Sequence, residues 1–226
     1  MGSSLINVFT SMMLQMDVKW QTELPAGPKI FAINHPTTTD PIYITTLIKE
    51  PLSVLITQPV FEIPVVGRIL KAAGQVPAVR SSNGSTIAAM AQKIREGRNV
   101  AIFPEGHLSP IEGGFCKPHT GVARLALRTG VPVVPIGIGL QRDRIRVVEN
   151  AIKSEEETGY FYTSEMYAIT VGAPLIFGGN ADNRSYVRAV TNTIMHQIKY
   201  LAYQSELRIS TNTVNKVHST PMSAGL

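Results

Sequence analysis

The chain has 226 residues, of which 44% are hydrophobic and 16% are charged, and its formal net charge is +5. This length suits one domain with at most a small appendage, and the single cysteine, Cys116, excludes an intrachain disulfide framework and a tetrahedral thiolate zinc site. The positive charge suits acidic partners such as an anionic membrane face or a carrier protein, but no basic run interleaved with aromatic residues predicts nucleic-acid binding.

The first residues carry a helical pattern. Apolar side chains recur at helical spacing over residues 5–16 and predict an amphipathic helix, which is followed by a leading strand within the segment 1–20. This helix either packs on the domain or lies on a membrane face, and the lack of Lys and Arg on its polar face favours packing. No apolar stretch reaches the roughly 18 residues of a spanning helix, and we expect no signal peptide.

Residues 21–205 form the predicted domain, in which short apolar runs alternate with helical patterns. In chain order we expect a strand over 29–33, a helix over 40–50, a strand over 52–57, a helix over 60–73, a strand over 75–79, a helix over 85–96, a strand over 99–103, a helix over 120–128 and a strand over 131–138. There follow a polar surface excursion over 141–166, a strand over 167–177, a closing helix over 184–204 and an expected disordered tail over 206–226. The alternation predicts an α/β fold with a mixed, largely parallel sheet flanked by helices.

Residues 34–40 read Asn-His-Pro-Thr-Thr-Thr-Asp and join the first strand of the predicted domain to its first helix. A neutral imidazole at His35 can take a proton from a hydroxyl, and a carboxylate at Asp40 can hold the ring and stabilise the imidazolium that forms. Because no serine or cysteine lies in an obvious nucleophile elbow, we predict that His35 activates the substrate's own hydroxyl.

Simpler roles are open for the residues of this stretch. His35 alone could be a loop residue bonded to backbone, and Asp40, which precedes Pro41, could cap the helix or could cap it and orient the ring at once. Asn34 and the hydroxyl groups of Thr37–Thr39 could line the site, or they could form the turn.

Four stretches follow one another in order: His35-Pro-Thr-Thr-Thr-Asp40, Gly74-Gln-Val-Pro-Ala-Val-Arg80, Phe103-Pro-Glu-Gly106 and Val131-Pro-Val-Val-Pro135. Together they resemble the motifs of the glycerolipid acyltransferase family typified by 1-acyl-glycerol-3-phosphate acyltransferase, whose first motif is a histidine and an aspartate separated by four residues. The resemblance spans roughly residues 14–180. It implies the glycerol-3-phosphate acyltransferase-like fold.

The resemblance also implies an activity. A fatty acyl group would move from acyl-CoA or acyl-carrier protein, as co-substrate, to a hydroxyl of a lysophospholipid, with 1-acyl-glycerol-3-phosphate as the first acceptor to consider. His35 would be the general base, and neither a covalent acyl-enzyme nor a cofactor would be required. By the same resemblance, Arg80 would bind the acceptor's phosphate, and Glu105 and Gly106 would contact the acceptor.

The chain departs from the family pattern at three positions that often carry charge. Leu108 stands where the family often has arginine, Val79 where it often has aspartate, and Gln58 near a frequent lysine. The acceptor pocket therefore carries less charge, or the phosphate of the acceptor is neutralised by other groups such as His107, Lys117 or Arg124. The acceptor could therefore be a different lipid or glycolipid hydroxyl, and a thioester hydrolase that activates water is the alternative activity.

The helix expected over 60–73 is apolar on more than one face, which predicts either a buried core helix or the membrane-facing mouth of an acyl tunnel. With a lipid acceptor in view, we expect a cytoplasmic protein that attaches peripherally to the inner face of the membrane. The five histidines lack a ligand spacing such as His-Glu-x-x-His, so we expect no metal site.

Overall fold

The computed structural model describes residues 15–79, 83–152, 155–163 and 166–219. In these ranges the strands are β1 (Gln15–Trp20), β2 (Ile30–Ile33), β3 (Leu52–Thr57), β4 (Val76–Ala78), β5 (Asn99–Ile102), β6 (Val133–Gly139), β7 (Arg146–Ile152), β8 (Glu155–Phe161) and β9 (Met166–Val171). The helices are α1 (Asp40–Leu47), α2 (Gln58–Glu62), α3 (Pro64–Ala72), α4 (Asn83–Arg95), α5 (Gly121–Thr129) and α6 (Arg184–Ser219), and a 3-10 turn (Arg142–Arg144) precedes β7.

The described strands form one large sheet and one hairpin. Within the described ranges, seven strands lie in the order β1-β9-β6-β2-β5-β3-β4, and neighbouring strands are parallel except for β6 and β9. The strands β7 and β8 pair antiparallel with each other, inside the polar excursion expected over 141–166. The expected α/β fold with a mixed, largely parallel sheet is therefore confirmed.

The sheet is buried on both faces because its central strands direct alternate side chains into two apolar cores. Phe31 and Ile33 of β2 belong to one core, and Ile30 and Ala32 belong to the other. Side chains of α4, α5 and α6 cover the core of Ile30, whereas side chains of α1 and Tyr162 cover the core of Phe31. Helices on both faces are typical of parallel sheets.

The helix α6 lies very close to β6, and this approach requires glycine in the strand. A Cβ on Gly137 would lie 2.0 Å from the backbone nitrogen of Ala202, and a Cβ on Gly139 would lie 2.5 Å from that of Glu206. Neither backbone nitrogen can move without displacing the helix. These two glycines therefore set the distance between α6 and the sheet.

The helix α6 also continues past residue 205, where we expected the domain to end. The Arg208 guanidinium donates to the Asp17 carboxylate of β1 at 2.6 Å and to the Ile169 carbonyl of β9 at 2.9 Å, and Ile209 is buried. Because these contacts hold the helix to the sheet, the chain is ordered through Ile209, beyond the expected start of the tail at residue 206. The helix itself extends to Ser219. The expected N-terminal helix over 5–16 falls mainly on residues 1–14, which lie outside the described residues, as do 220–226.

The helix expected over 60–73, which contains Pro64, is divided into two helices, α2 and α3, which meet at Ile63. Pro64 has no backbone N–H with which to continue α2, and its fixed φ angle suits the first turn of a new helix. In the part of the chain that the structure describes, no helix combines the length and the apolar character needed to cross a membrane.

Replacing Gly137 by alanine is expected to lower the free energy of unfolding by about 3 kcal/mol, because the new methyl group meets helix backbone rather than a flexible side chain. Urea unfolding followed by circular dichroism measures this change. The matched control is Gly178→Ala, since a Cβ at Gly178 has no heavy atom within 4 Å. Equal free energies of unfolding for the two variants would contradict the role assigned to Gly137.

Candidate active site

The loop after β2 carries His35 at the carboxyl edge of the sheet. The imidazole stacks on the ring of Phe103, with centroids 4.2 Å apart and planes inclined by 25°. The side chain is 18% exposed, and its Nδ1 lies 2.9 Å from Oδ2 of Asp40. Because Phe103 follows β5, which neighbours β2, the ends of two adjacent strands hold the ring.

The Asp40 carboxylate is fully buried and is surrounded by hydrogen-bond donors. Its Oδ2 accepts from Nδ1 of His35 and from the backbone N–H of Thr37, each at 2.9 Å. Its Oδ1 accepts from the hydroxyl of Thr37 and from the hydroxyl of Tyr167, the latter at 2.6 Å. A carboxylate has acceptor sites for all four donors, so each of these bonds can form at once.

These bonds settle how the imidazole can react. Since the Asp40 carboxylate only accepts, Nδ1 of His35 must donate, and in the neutral ring Nε2 is then the unprotonated nitrogen. A hydroxyl that meets Nε2 can transfer its proton there, and the Asp40 carboxylate stabilises the imidazolium that forms. The pair can therefore act as a general base and its orienting partner.

Asp40 performs this role without capping α1. Thr39 occupies the cap position, no side chain hydrogen bond caps the helix, and Asp40 is the first helical residue. These four donors come from the preceding loop and from β9, so the carboxylate faces back toward His35. Of the alternatives left open by the sequence, the structure therefore excludes those in which Asp40 caps the helix.

Tyr167 is a partner of Asp40 that the sequence did not reveal. It lies on β9, 127 residues along the chain from Asp40, and its fully buried ring meets the ring of Tyr43 edge-on with centroids 5.0 Å apart. Burial, followed by the charge of Asp40, raises the pKa of Tyr167 well above its ordinary value, so the phenol keeps its proton and donates. A tyrosine in an apolar strand is typical of core packing, and no local pattern marks its bond to a distant carboxylate.

Glu105 joins three loop segments through a fully buried carboxylate. Its Oε1 accepts from the backbone N–H of His35 at 3.2 Å and from the hydroxyl of Ser109 at 2.8 Å, and its Oε2 accepts from the backbone N–H of Cys116 at 2.6 Å. These bonds tie the Phe-Pro-Glu-Gly loop to the loop of His35. They give Glu105 a structural part in the site, while its contact with an acceptor stays a prediction.

Gly106 adopts a conformation and a packing that only glycine accommodates easily. Its φ is +69°, and a Cβ there would lie 2.8 Å from Cδ2 of His119. The exposed ring of His107 lies 6.5 Å from the His119 ring, centroid to centroid. Two exposed imidazoles thus border the Gly106 turn, and contact between Gly106 and an acceptor stays a prediction.

Asn34 and Thr38 connect the His35 loop to its neighbours. The Asn34 amide donates to the Ile138 carbonyl at 2.9 Å and accepts from the Ile138 N–H at 2.7 Å, which extends the pairing of β2 with β6. The backbone N–H of Thr38 donates to the Tyr160 carbonyl at 2.8 Å, and its hydroxyl accepts from the Tyr160 N–H at 3.0 Å. Asn34 is therefore a structural residue, and the hairpin of β7 and β8 lies directly beside the loop.

The remaining residues considered for anion binding are less informative. Arg80 lies outside the described residues, so its predicted contact with a phosphate stays a prediction. Arg124 donates to the Ala181 carbonyl at 2.9 Å, whereas Lys117 is exposed. Among the residues that the structure describes, no three His, Cys, Asp or Glu side chains converge in a way that could hold a metal ion.

A sequence model of the family described as Acyltransferase matches residues 15–139, more than half of the chain, and this region includes both the His35–Asp40 loop and the Phe103–Gly106 loop. The chain belongs to the acyltransferase family. The resemblance seen in the four sequence motifs is thereby confirmed.

Three curated relatives of this acyltransferase carry informative names. It is 31% identical over 134 residues to the lyso-ornithine lipid O-acyltransferase of Pseudomonas aeruginosa, covering 58% of this chain and 51% of that protein. It is 30% identical over 125 residues to the chloroplastic 1-acyl-sn-glycerol-3-phosphate acyltransferase BAT2 of Brassica napus, covering 53% and 36%. It is 32% identical over 107 residues to the 1-acyl-sn-glycerol-3-phosphate acyltransferase of Borreliella burgdorferi, covering 46% and 42%. The aligned region thus spans about half of these relatives or less.

A solved structure shares the fold of this acyltransferase. The crystal structure of the 1-acyl-sn-glycerophosphate acyltransferase PlsC from Thermotoga maritima matches with a TM-score of 0.58 at 20% sequence identity. The match covers 87% of this chain and 79% of that chain. At this identity the likeness shows a common fold, which agrees with the sheet and helices described above.

The substitution Tyr167→Phe removes one donor to Asp40 and keeps the buried ring. We expect kcat to fall about 10-fold with little change in KM, because a hydrogen bond to a charged group that positions the base is lost. The measurement is steady-state kinetics with kcat and KM determined separately, because lost positioning of the base lowers kcat and leaves substrate binding unchanged.

The matched control for this variant is Tyr43→Phe, which removes a buried hydroxyl that donates to the Tyr162 carbonyl rather than to Asp40. Its kcat and KM should match those of the unchanged protein. If both variants lower kcat equally, the effect comes from general repacking and the positioning role of Tyr167 is refuted.

Proposed function

We propose that this protein is an O-acyltransferase that moves a fatty acyl group from a thioester donor to a hydroxyl of a lysophospholipid. The observation that carries the proposal is the His35–Asp40 pair, in which a partly exposed imidazole is bonded through Nδ1 to a buried carboxylate at 2.9 Å. Membership of the acyltransferase family supports the reaction class.

The proposed reaction needs no covalent intermediate on the protein. Nε2 of His35 takes the proton of the acceptor hydroxyl while the oxygen attacks the thioester carbonyl carbon, and Asp40 stabilises the resulting imidazolium. The tetrahedral adduct then collapses, the carbon–sulfur bond breaks, and the leaving thiolate receives the proton from the imidazolium. The products are the ester and the free thiol, and the imidazole returns to its neutral form.

We assign 1-acyl-glycerol-3-phosphate as the preferred acceptor, in keeping with the names of two of the relatives. The name of a third relative, the lyso-ornithine lipid O-acyltransferase, supports a zwitterionic acceptor as the second candidate. The apolar Leu108 in the Phe-Pro-Glu-Gly loop favours this second candidate, because it supplies no charge for a phosphate. In either case Arg80, Glu105 and Gly106 are the proposed acceptor-binding residues.

The donor is acyl-CoA or acyl-carrier protein, which serves as co-substrate, and the reaction requires no further cofactor. The protein acts from the cytoplasm as a peripheral protein on the inner face of the membrane, where a lysophospholipid acceptor resides. The net charge of +5 supports contact with anionic lipid headgroups and with an acidic carrier protein.

The substitution His35→Ala is expected to lower kcat at least about 100-fold, since the general base is removed. The free energy of unfolding should fall by about 2 kcal/mol, because the variant loses the ring stack on Phe103 and the hydrogen bond to the buried Asp40 carboxylate. His196→Ala, which changes an exposed histidine on α6, is the matched control and should keep full activity. Persistent transfer by the His35→Ala variant would refute the assignment of the base.

An acceptor panel with labelled acyl-CoA identifies the substrate. We expect the highest kcat/KM with 1-acyl-glycerol-3-phosphate, a lower value with lyso-ornithine lipid, and no ester with simple alcohols, because a lysolipid supplies an acyl chain and a headgroup for binding as well as the hydroxyl. Release of free fatty acid at the same rate with and without every acceptor would instead establish thioester hydrolysis and contradict acyl transfer.

A further inference from the structure

The helix α3 turns an apolar face away from the protein. Val65, Val66 and Ile69 are 59%, 39% and 61% exposed, and Ala72 and Ala73, at the end of the helix, are exposed as well. At 3.6 residues per turn, these five positions fall within an arc of about 120° around the helix axis. We call this arc the α3 face.

Gly67 explains why the α3 face points outward. It lies nearly opposite the arc and is buried, and a Cβ there would lie 1.9 Å from the backbone oxygen of Phe61 in α2. The helix therefore contacts α2 through Gly67, its smallest residue, and its larger apolar side chains are exposed to solvent. A helix that packs on a core instead buries its larger apolar side chains.

Two exposed cations lie on α3 outside the α3 face. At 100° per residue, Arg68 lies about 40° beyond the edge of the arc, whereas Lys71 lies on the opposite side of the helix, about 40° from Gly67. Arg68 Nε donates to the Pro64 carbonyl at 3.1 Å, which leaves most of the guanidinium's donors available. Glu62 is the acidic residue of the sequence over 58–74, so this stretch carries a net charge of +1 (two cations and one anion). An apolar arc flanked by Arg, with Lys on the polar side, is the composition of a helix that lies at an anionic bilayer surface.

The α3 face begins near the edge of the sheet that carries the candidate active site. The helix α2 starts directly after β3 at the carboxyl edge, and the loop of His35 leaves β2 at that same edge. From there α3 runs back toward the amino edge, where Arg98 donates to the Ala73 carbonyl at 3.0 Å and to the first residue of β3. The strands β2 and β3 are two positions apart, roughly 10 Å, so Val65 lies on the active-site side of the protein.

We infer that the α3 face docks the protein on an anionic lipid bilayer, with Arg68 beside the headgroups and Lys71 adding to the positive field of the helix. The inference rests on the proposed function, because the acceptor of that reaction resides in the bilayer. A second copy of the chain fits less well. The helix has nine residues and is about 14 Å long, far too small a surface for the roughly 800 Å² per partner of a stable dimer, and two-fold pairing would bring like charges together.

The experiment measures flotation of the full chain with vesicles of phosphatidylcholine that contain about one quarter phosphatidylglycerol. The double variant Val65→Ser/Ile69→Ser should lower the partition coefficient at least about 10-fold, because two apolar side chains no longer enter the bilayer. The matched control, Ile176→Ser/Leu207→Ser, removes two apolar side chains that are 77% and 48% exposed elsewhere, and it should bind like the unchanged protein.

A second double variant separates charge from apolar contact. Arg68→Gln/Lys71→Gln should weaken vesicle binding about 5-fold for each lost charge at low salt, and should reduce the dependence of binding on salt concentration. The α3 face keeps its apolar side chains in this variant. Binding that is independent of both cations would contradict the headgroup contact.

Two results would overturn the inference. One is equal vesicle binding by the Val65→Ser/Ile69→Ser variant and the control variant. The other is gel filtration that shows a dimer for the unchanged protein and a monomer for this variant, which would assign the α3 face to a second copy. Vesicle binding requires no turnover, so these measurements are independent of the His35→Ala test. Failure of the His35→Ala test would refute the proposed function and would leave the vesicle-binding result unchanged.

Discussion

One buried carboxylate organises the candidate active site. A charge removed from water is tolerated only where hydrogen bonds replace its hydration, and Asp40 obtains four of them from three residues in two parts of the chain. The loop supplies the donors of His35 and Thr37, and β9 supplies the donor of Tyr167. The orientation of the imidazole therefore depends on a strand that the chain reaches more than 100 residues later.

A second buried carboxylate completes this arrangement. Nδ1 of His35 donates to Asp40, the face of the ring stacks on Phe103, and the backbone N–H of His35 donates to Glu105. These three contacts fix the position of His35 without any contribution from a substrate. A base fixed in this way loses little freedom when the hydroxyl arrives, which is how positioning lowers a reaction barrier. The Phe-Pro-Glu-Gly loop accordingly serves the histidine as a support, whatever it contributes to acceptor binding.

The sequence was sufficient for features that depend on local patterns. Apolar periodicity predicted the strands and helices from 29 to 138, because burial on both faces of a parallel sheet leaves continuous apolar runs such as Ile30–Ile33. The spacing of His35 and Asp40 predicted their pairing, since a short turn brings them together. The sequence also shows Pro64, but it does not show whether the helix over 60–73 bends at this proline or divides into two helices.

Features that depend on distant contacts were not predictable in the same way. Tyr167 resembles any buried strand residue until β9 is placed beside the loop. The polar composition after residue 205 suggested a tail, yet Arg208 and Ile209 find partners on β1 and β9 that the local sequence does not reveal. The hairpin of β7 and β8 occupies a stretch without clear alternation of apolar residues, and its bonds to Thr38 arise from tertiary structure.

The pairing of β1 with β9 bears on how the chain is made. Gln15 lies opposite Met166, so one edge of the sheet joins segments about 150 residues apart. A ribosome adds roughly 5–20 residues each second. The backbone groups of β1 that later bond to β9 therefore stay unpaired for many seconds during synthesis. Contacts between such distant segments close slowly. Until β9 has been synthesised, β1 therefore presents unpaired backbone groups with which another chain can associate.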